Sequence, residues 1–585
     1  MSFVRTFRRT RVAAIHCVGV LVAGLGASFL SLAGCFSAAD GLAPPDKQFY
    51  YPTALAVSPG QTALYVINSD FDLQYSGGTV QALDLVALRQ TTGALRDALN
   101  ANALADDPVG IDKVCGGQTP ALSKNDNSAL YPGPCSPVEA STFITNSVEI
   151  GAFASSAAVV VQADPCDEKK GGRAARLFIP VRGDPSVTYI DVTDDREIVC
   201  NAAPLPPSSP CGDDPTAARS CLSCGSETNA GRCSSSHLIG VDPSQSAREL
   251  TLDVDPYGVD VDELGEALVV VHQTQQTASL IVNDFNEDIS AKTGPKLQYA
   301  TASLSPGPTD TASLPIPRLI RENNRQYGAD SPNWIDYTPA FVVSYRSSPE
   351  FTILRYEDDF GANTPRPFLT RGLSSGVSTT ASSTDSRGVA VDGSERAACE
   401  DKCGMNDREA CLRACAENHP LGVYMANRAP AALVIGRIDT VFAEASDGQG
   451  GVKVTGAYEI PSFHDSVPLA FGASRVEVGQ VVDEQGRLAR RIFAVTFDSR
   501  FVFSYNPEER RVDAIIRTGR GPHAVVFDSG LEKGTDGQMH AHSTMYVAHF
   551  TDSYVGVVDL DMRNRATFGS IYMTLGKPVP PKGSQ

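Results

Sequence analysis

Tyr51-Pro52-Thr53-Ala54-Leu55-Ala56-Val57-Ser58-Pro59-Gly60 opens a stretch that runs on through Ala63-Leu64-Tyr65-Val66-Ile67-Asn68 to Gly78-Thr79-Val80-Gln81-Ala82-Leu83-Asp84-Leu85. Short apolar runs rich in Val, Ile and Tyr, separated by a Pro-Gly turn and a polar loop, predict three strands in succession. The same order returns near the C-terminus as Gly521–Asp528, Met545–His549 and Asp552–Leu560. Five weaker copies lie between them. Leu177–Pro180 leads to Ser186–Asp191, Tyr257–Asp262 to Ala267–His272 and Ala278–Val282, and Pro339–Ser344 to Phe351–Leu354. Arg387–Val391 leads to Gly422–Asn427 and Ala431–Ile435, and Arg491–Val495 to Phe501–Tyr505.

That makes seven units. The first and last resemble the YVTN/NHL-like repeat of β-propellers, with its Pro-x-x-h-x-h start, Tyr-Val-x-Asn strand and Val-x-h-h-Asp end, where h is apolar. The resemblance implies an all-β fold, a seven-bladed β-propeller over residues 49–578. Radial repetition leaves only short, protected strand edges. An array of β-sandwiches is the alternative, and the pairing of Tyr-Val-Asn with Val-Asp-Leu segments speaks against it. Ser570–Leu575 is placed to add a closing strand to the first or last blade. A blade of this kind needs about 40 to 50 residues. The remainder reads as insertions at about 87–151, 193–250, 284–337, 364–385, 395–420 and 442–470. Their cysteines predict ordered loops crowning one face.

Upstream, Arg5, Arg8, Arg9 and Arg11 precede an apolar run from Val12 to Leu32 that ends in Leu32-Ala33-Gly34-Cys35. A basic start, an apolar middle and small residues before a cut mark an export signal. The run is long enough for a transmembrane helix, the competing reading, but its Gly and Ala content and its ending resemble a bacterial lipobox. The resemblance implies a signal peptide at 1–34, lipidation of Cys35 and attachment to a bacterial membrane through a tether at 35–48. Two or more acyl chains anchor firmly where one holds marginally. Phe36 follows Cys35 where an Asp would stand in a retained lipoprotein, which by analogy with enteric sorting implies the outer membrane.

An exported chain with an even number of cysteines reads as disulfide-bonded. Of 14 cysteines, Cys17 leaves with the signal and Cys35 takes lipid, leaving twelve. Cys399-x3-Cys403-x7-Cys411-x3-Cys415 places each pair on one helix face. Two antiparallel helices over Glu395–Lys402 and Asp407–Glu417 would join Cys399 to Cys415 and Cys403 to Cys411. Asn406 and Glu409 resemble a capping box for the second helix. The spacing resembles twin Cys-x3-Cys helical hairpins. A Cys₄ zinc site is the alternative, and an oxidising compartment favours disulfides. Cys221-x2-Cys224 sits among Pro204, Pro206, Pro207 and Pro210 and reads as a stapled loop.

The chain of 585 residues carries a net charge of −19, and removing the four arginines of the signal leaves −23. With no basic patch, nucleic acid is not an expected partner. Nothing matches a nucleophile elbow, a His-Glu-x-x-His helix or a phosphate loop. Candidate metal ligands are His523, His540, His542 and His549 in the last unit, because imidazoles suit Zn²⁺ or Cu²⁺. Asp70 and Asp72, and Asp253, Asp255, Asp260 and Asp262, are oxygen-rich strings that admit Ca²⁺, but turn capping accounts for them better. No cofactor is therefore expected. The expected role is an envelope lipoprotein whose propeller face binds a protein or glycan partner. The alternative is a lactonase, hydrolase or metal-dependent redox propeller with its site in the central channel.

Overall fold

The computed structural model describes residues 41–102, 114–115, 132–161, 173–193, 221–225, 231–246, 248–283, 294–301, 303–328, 331–357, 367–377, 385–446, 452–533 and 537–579. Residues 1–34 and Cys35, with Cys166, Cys200 and Cys211, lie outside them. Among the described residues no helix is long and apolar enough to cross a membrane.

Seven antiparallel sheets follow one another along the chain, each in sequential strand order. Blade 1 holds Pro52–Val57, Ala63–Asn68, Gly78–Asp84 and Ile144–Ile150. Blade 2 holds Ala158–Val161, Arg173–Val181, Ser186–Thr193 and Cys221–Ser223, with Leu238–Ile239 also on its third strand. Blade 3 spans Pro256–Thr301, blade 4 Pro308–Gly376, blade 5 Ser386–Pro468, blade 6 Ala473–Arg517 and blade 7 Pro522–Leu575. The innermost strands touch one another around a central channel. Gly258 and Gly388 allow that approach, because a Cβ at Gly258 would lie 2.8 Å from Asp310 Cα and one at Gly388 would lie 2.9 Å from Arg475 Cα.

The core is divided into wedges. Each adjacent pair of blades shares one apolar cluster, for example Tyr65, Ile67 and Val80 with Leu177, Ile179 and Ile190 between blades 1 and 2. A strand buried on both faces in this way reads as a continuous apolar run, as Ala63–Asn68 does.

Several stretches read from the sequence as insertion carry outer strands. Ile144–Ile150 closes blade 1, Lys296–Thr301 closes blade 3, and Phe368–Gly376 closes blade 4. Pro308–Ser313, inside 284–337, is the innermost strand of blade 4, and 442–470 extends a long hairpin of blade 5. Of the remaining insertion in 87–151, the described part lies against the junction of the first and last blades, and 103–113 and 116–131 lie outside the described residues. Its helix Leu85–Asn102 packs Leu85, Leu88 and Leu99 against Tyr546, Val555 and Leu575 at the junction of blades 1 and 7. Arg89 forms a fork on Asp528 of blade 7, at 2.6 Å for each bond. Val138 then pairs with Leu575. Ring closure thus shares no full strand: blade 7 uses Ile571–Leu575 as its own outer strand, and blade 1 clamps it from outside.

The cysteine segment forms two helices, Ser394–Glu400 and Arg408–Asn418, between the first and second strands of blade 5. Cys399 is bonded to Cys415 and Cys403 to Cys411. The two bonds leave no thiolates for a Cys₄ zinc site. Cys115 is joined to Cys135 and Cys224 to Cys233, and Cys221 is disulfide-bonded as well. The capping box is absent. Asp407, not Asn406, is the N-cap, in a left-handed conformation (φ 53°) with no side-chain capping bond. The hairpin packs Leu412, Cys415 and Ala416 on Leu319, Ile320 and Phe442.

Candidate ligand site at the channel mouth

The blades share a local irregularity with a functional consequence. In blade 1 Pro52 pairs with Asn68 and Ala54 with Ile67, so Thr53 bulges out of the ladder. The same skip occurs at Tyr257, Thr309, Arg387, Ser474 and His523. In blade 2, four residue steps from Ala154 to Ala158 face three from Phe178 to Val181, and Ser155 lies in the gap. A bulge bends a strand and re-aims its side chain. Here it turns one residue per blade toward the end of the channel where each innermost strand begins.

At that end lies an open cavity of about 230 Å³. Six of the seven bulge residues line it: Thr53, Ser155, Tyr257, Arg387, Ser474 and His523. Thr309 is the exception, fully buried with its hydroxyl donating to Ser386 O at 2.7 Å. The adjoining loops add Phe71, Phe153, Phe497 and Phe550 with Arg182 and Arg428. The rings form a continuous edge: Phe71 is 5.7 Å from Phe153 and 5.1 Å from Phe550, and Phe550 is 5.7 Å from His523. Three guanidiniums stand among these rings, each held by an acid outside the cavity. Arg182 is beside Phe153, whose O accepts from Arg182 N at 3.2 Å. Arg182 pairs with Asp255 and lies over the Tyr257 ring at 5.4 Å. Arg387 forks onto Asp385, and Arg428 meets Asp498 at 2.7 Å.

His523 Nδ1 donates to Thr53 O at 2.8 Å, which leaves Nε2 as a lone pair. Burial, then the charge of Arg475, lowers its pKa to about 4, so the imidazole is neutral near pH 7.

Arg475 follows the lining residue Ser474 in the chain and is itself buried. It reaches from blade 6 across the channel to donate to Ser155 O at 3.1 Å, and lies 3.6 Å from Asp310. Burial opposes the Arg475 cation, but Asp310 and then Tyr257 and Glu477 hold its pKa above the ordinary value. Two further carboxylates share its surroundings. Burial pushes Glu477 up to about 8 against the pull of Arg475, with Asp310 and Asp260 adding to the rise. Burial pushes Asp260 up to about 6, although it accepts from Ser313 N at 2.6 Å.

The four histidines singled out in the sequence do not come together. Only His523 lines the cavity. His549 is fully buried behind it, with Nδ1 on Val547 O and Nε2 accepting from Gly519 N at 3.1 Å. His540 and His542 lie toward the far end of the same hairpin, opposite Glu532 and Gly530. His542 is 3.7 Å from Asp528, in the clamp that joins blades 1 and 7. Among the described residues, the one group of metal-type ligands close enough to share an ion is Cys403, Cys411 and Cys415, which the disulfides occupy. The aspartates are also spread out. Asp72 accepts from the Tyr50 hydroxyl, Asp255 pairs with Arg182, and Asp262 caps its turn by accepting from Glu266 N and Ala267 N. Burial pushes Asp70 up to about 7; its Oδ1 accepts from Tyr75 N.

The mouth arginines and phenylalanines were not legible as a set. The recurring signal was available in part, as the second residue of each innermost strand, two places after a connector and often after Pro (Pro52, Pro256, Pro308, Pro522).

No protein family matches the chain, and no curated protein does. Solved structures similar to it include the periplasmic gluconolactonase of Pseudomonas aeruginosa, at 11% identity and TM-score 0.35, over 80% of this chain and 85% of that one. The hydrazine synthase of Kuenenia stuttgartiensis is similar at 11% identity and TM-score 0.37, over 88% and 97%. A dihydro-heme d1 dehydrogenase is similar at 9% identity and TM-score 0.36, over 90% and 66%. Likeness at this level says nothing of chemistry.

Proposed function

We propose that this chain is a lipid-anchored protein of the bacterial envelope, probed most directly at Cys35, whose channel mouth binds a ring-bearing anionic ligand of the acidic-glycan class. The observation that carries the binding role is the convergence of six bulged residues on a cavity with an aromatic edge and three arginines. A sugar face packs on aromatic rings, and a guanidinium keeps N–H donors beyond those its acid partner takes, which can donate to a ligand carboxylate. The cavity volume is below the range of about 300–1,000 Å³ typical of sites for drug-sized molecules. It therefore suits a terminal sugar or a disaccharide. The anchor rests on the basic, apolar and Leu-Ala-Gly-Cys segments at the N-terminus, and outer-membrane placement on Phe36.

Calorimetry against matched neutral and uronic-acid oligosaccharides tests the binding role. Preference for the acidic member, lost in Arg387→Ala, is expected. Equal binding of both members, indifferent to Arg387→Ala, would sink it.

One observation favours a second reading. A neutral His523 with a lone pair at Nε2, beside guanidiniums that can hold an oxyanion, is the minimum equipment for hydrolysis of an ester or lactone. Turnover of such substrates that disappears in His523→Gln while ligand binding persists would establish it.

A further inference from the structure

The first described residue, Gly41, lies against the loop that follows the second strand of blade 1. A Cβ at Gly41 would sit 2.9 Å from Ser76 Cα. Ser76 N donates to Leu42 O at 2.9 Å, and Gln81 Nε2 donates to Pro45 O and Gln48 O. The tether is therefore fixed to the body of the protein from residue 42 onward, and it leaves from the mouth face. Ser69 and Phe71 of the same loop line the cavity.

Six residue steps separate Gly41 from Cys35. A chain extends at most ~3.3–3.6 Å per residue, so the acylated cysteine lies within ~20 Å of the mouth face. The opposite face is a further strand length away, ~20 Å for the six residues of Pro52–Val57, before its turns and the disulfide hairpin are added. That face is the farther of the two from the lipid surface to which Cys35 is fixed, by at least this length. The mouth face also carries exposed apolar side chains on both sides of the channel. Leu42, Phe71 and Leu73 lie on the tether side, and Phe471 lies across the mouth in the connector between blades 5 and 6. Phe71 is 50% exposed and Phe471 63%.

We infer that the propeller sits face-down on the bilayer, with the channel mouth against the lipid headgroups. The inference rests on the lipid-anchor reading, and the occupant of the apolar rim is the membrane surface itself. A cavity opening there meets glycans displayed on lipids before it meets free polymers.

The test uses the full lipidated chain in phosphatidylethanolamine–phosphatidylglycerol vesicles, with and without a nitroxide on the headgroup. Trp334 is the chain's single tryptophan and lies on the opposite face, in the segment whose Asp336 bridges Gly456. It reports from that face unaltered. Phe71→Trp and Phe471→Trp, each in a Trp334→Phe background, report from either side of the mouth. Leu73→Trp replaces Phe71→Trp should that variant not fold.

The expected result is that both mouth reporters lose most of their emission on nitroxide vesicles while Trp334 keeps its own. Quenching of Trp334, quenching of the Phe71 reporter alone (an edge-on protein), or no quenching of a protein that floats with the vesicles would each overturn the orientation. Flotation separates that failure from failure of the anchor. A protein that does not float, or floats equally as Cys35→Ala, overturns the lipid-anchor reading and this inference with it.

Discussion

His549 stands in blade 7 where Asn68 stands in blade 1. Each pairs with the proline that precedes the bulge, Pro522 and Pro52. Each accepts from the backbone of the connector entering its blade: Gly519 N donates to His549 Nε2 at 3.1 Å, and Tyr50 N to Asn68 Oδ1 at 3.0 Å. His272 opposes Pro256 in blade 3 and holds Val254 O through Nδ1 at 3.1 Å. One register position thus pins the chain as it enters the channel wall, and His549 is a fixture of that wall.

His549→Asn is accordingly expected to fold with little loss. His549→Ala leaves Gly519 N–H without its acceptor in a buried place, which costs about 1–3 kcal/mol. Urea denaturation of the two variants beside the parent checks the order, and equal losses would refute the assignment.

Acid has a defined effect through the same side chain. Burial lowers the His549 pKa to about 3, below the ordinary histidine value. The folded state therefore binds fewer protons than the unfolded one between about pH 3 and pH 6.5. The contribution is fully present above about 6.5 and is lost as pH falls toward 3. His523, lowered to about 4, acts in the same direction. Denaturation midpoints are expected to fall between pH 7 and pH 4, and to fall less steeply in His549→Asn.

The carboxylates under the mouth work the other way. Glu477 is raised to about 8 and Asp260 to about 6, so their contribution is present at low pH and is lost as pH rises through those values. Glu477→Gln should raise the midpoint at pH 9 and leave it nearly unchanged at pH 5. Arg475→Met strips Asp310 of its partner, at a cost of about 3–5 kcal/mol for a broken buried pair. That cost should shrink in acid, where Asp310 takes up a proton. A Tm series against pH reads both effects.

At the mouth, Phe550 touches Tyr51, Phe71 and His523 at 5.1–5.7 Å between ring centres. Phe550→Leu keeps apolar bulk and removes the flat ring. Binding of an acidic oligosaccharide is expected to weaken by roughly 1 kcal/mol, or about fivefold. Arg387→Lys keeps charge but gives up the bidentate hold of Asp385 and the donors left over from it, and should erode the preference for acidic over neutral ligands more than the affinity for either. Titration calorimetry distinguishes the two outcomes.

The disulfide hairpin is remote from this chemistry. Cys399 and Cys415 close a span of 16 residues, and losing such a crosslink costs about 3 kcal/mol. The paired change Cys399→Ala with Cys415→Ala should raise amide exchange in Ser394–Asn418 and leave binding at the mouth intact. Weakened binding would show that the hairpin and the channel are coupled.

The ring was legible because the second and third strands of each blade are buried on both faces. Ala267–His272 is apolar but for its final histidine, and Tyr554–Asp559 is buried throughout. Outer strands have no such pattern. Phe368–Gly376 reads FLTRGLSSG and is largely exposed, so it passes for loop. The mouth was hidden for a different reason. Thr53, Tyr257, Arg387 and His523 share a backbone irregularity and no side-chain type, so their equivalence emerges only from strand register. The histidines are near one another in the sequence, but the hairpin spreads them along its length, and no shared position follows from their spacing.

The clamp from blade 1 onto blade 7 also orders events in time. As the chain is made from its N-terminus, each sheet is completed by residues already synthesised, and among the described residues no strand waits for a partner hundreds of positions ahead. Local pairing of this kind shortens the search for native contacts. The helix Leu85–Asn102 and the blade 1 face beside it are the exception: they are made early, but the surface that shares a core with Leu64, Val66, Leu88 and Leu99 is not made until Tyr546–Leu575. Through most of synthesis that apolar stripe stands open, so the growing chain is most prone to aggregation there, until its last forty or so residues arrive.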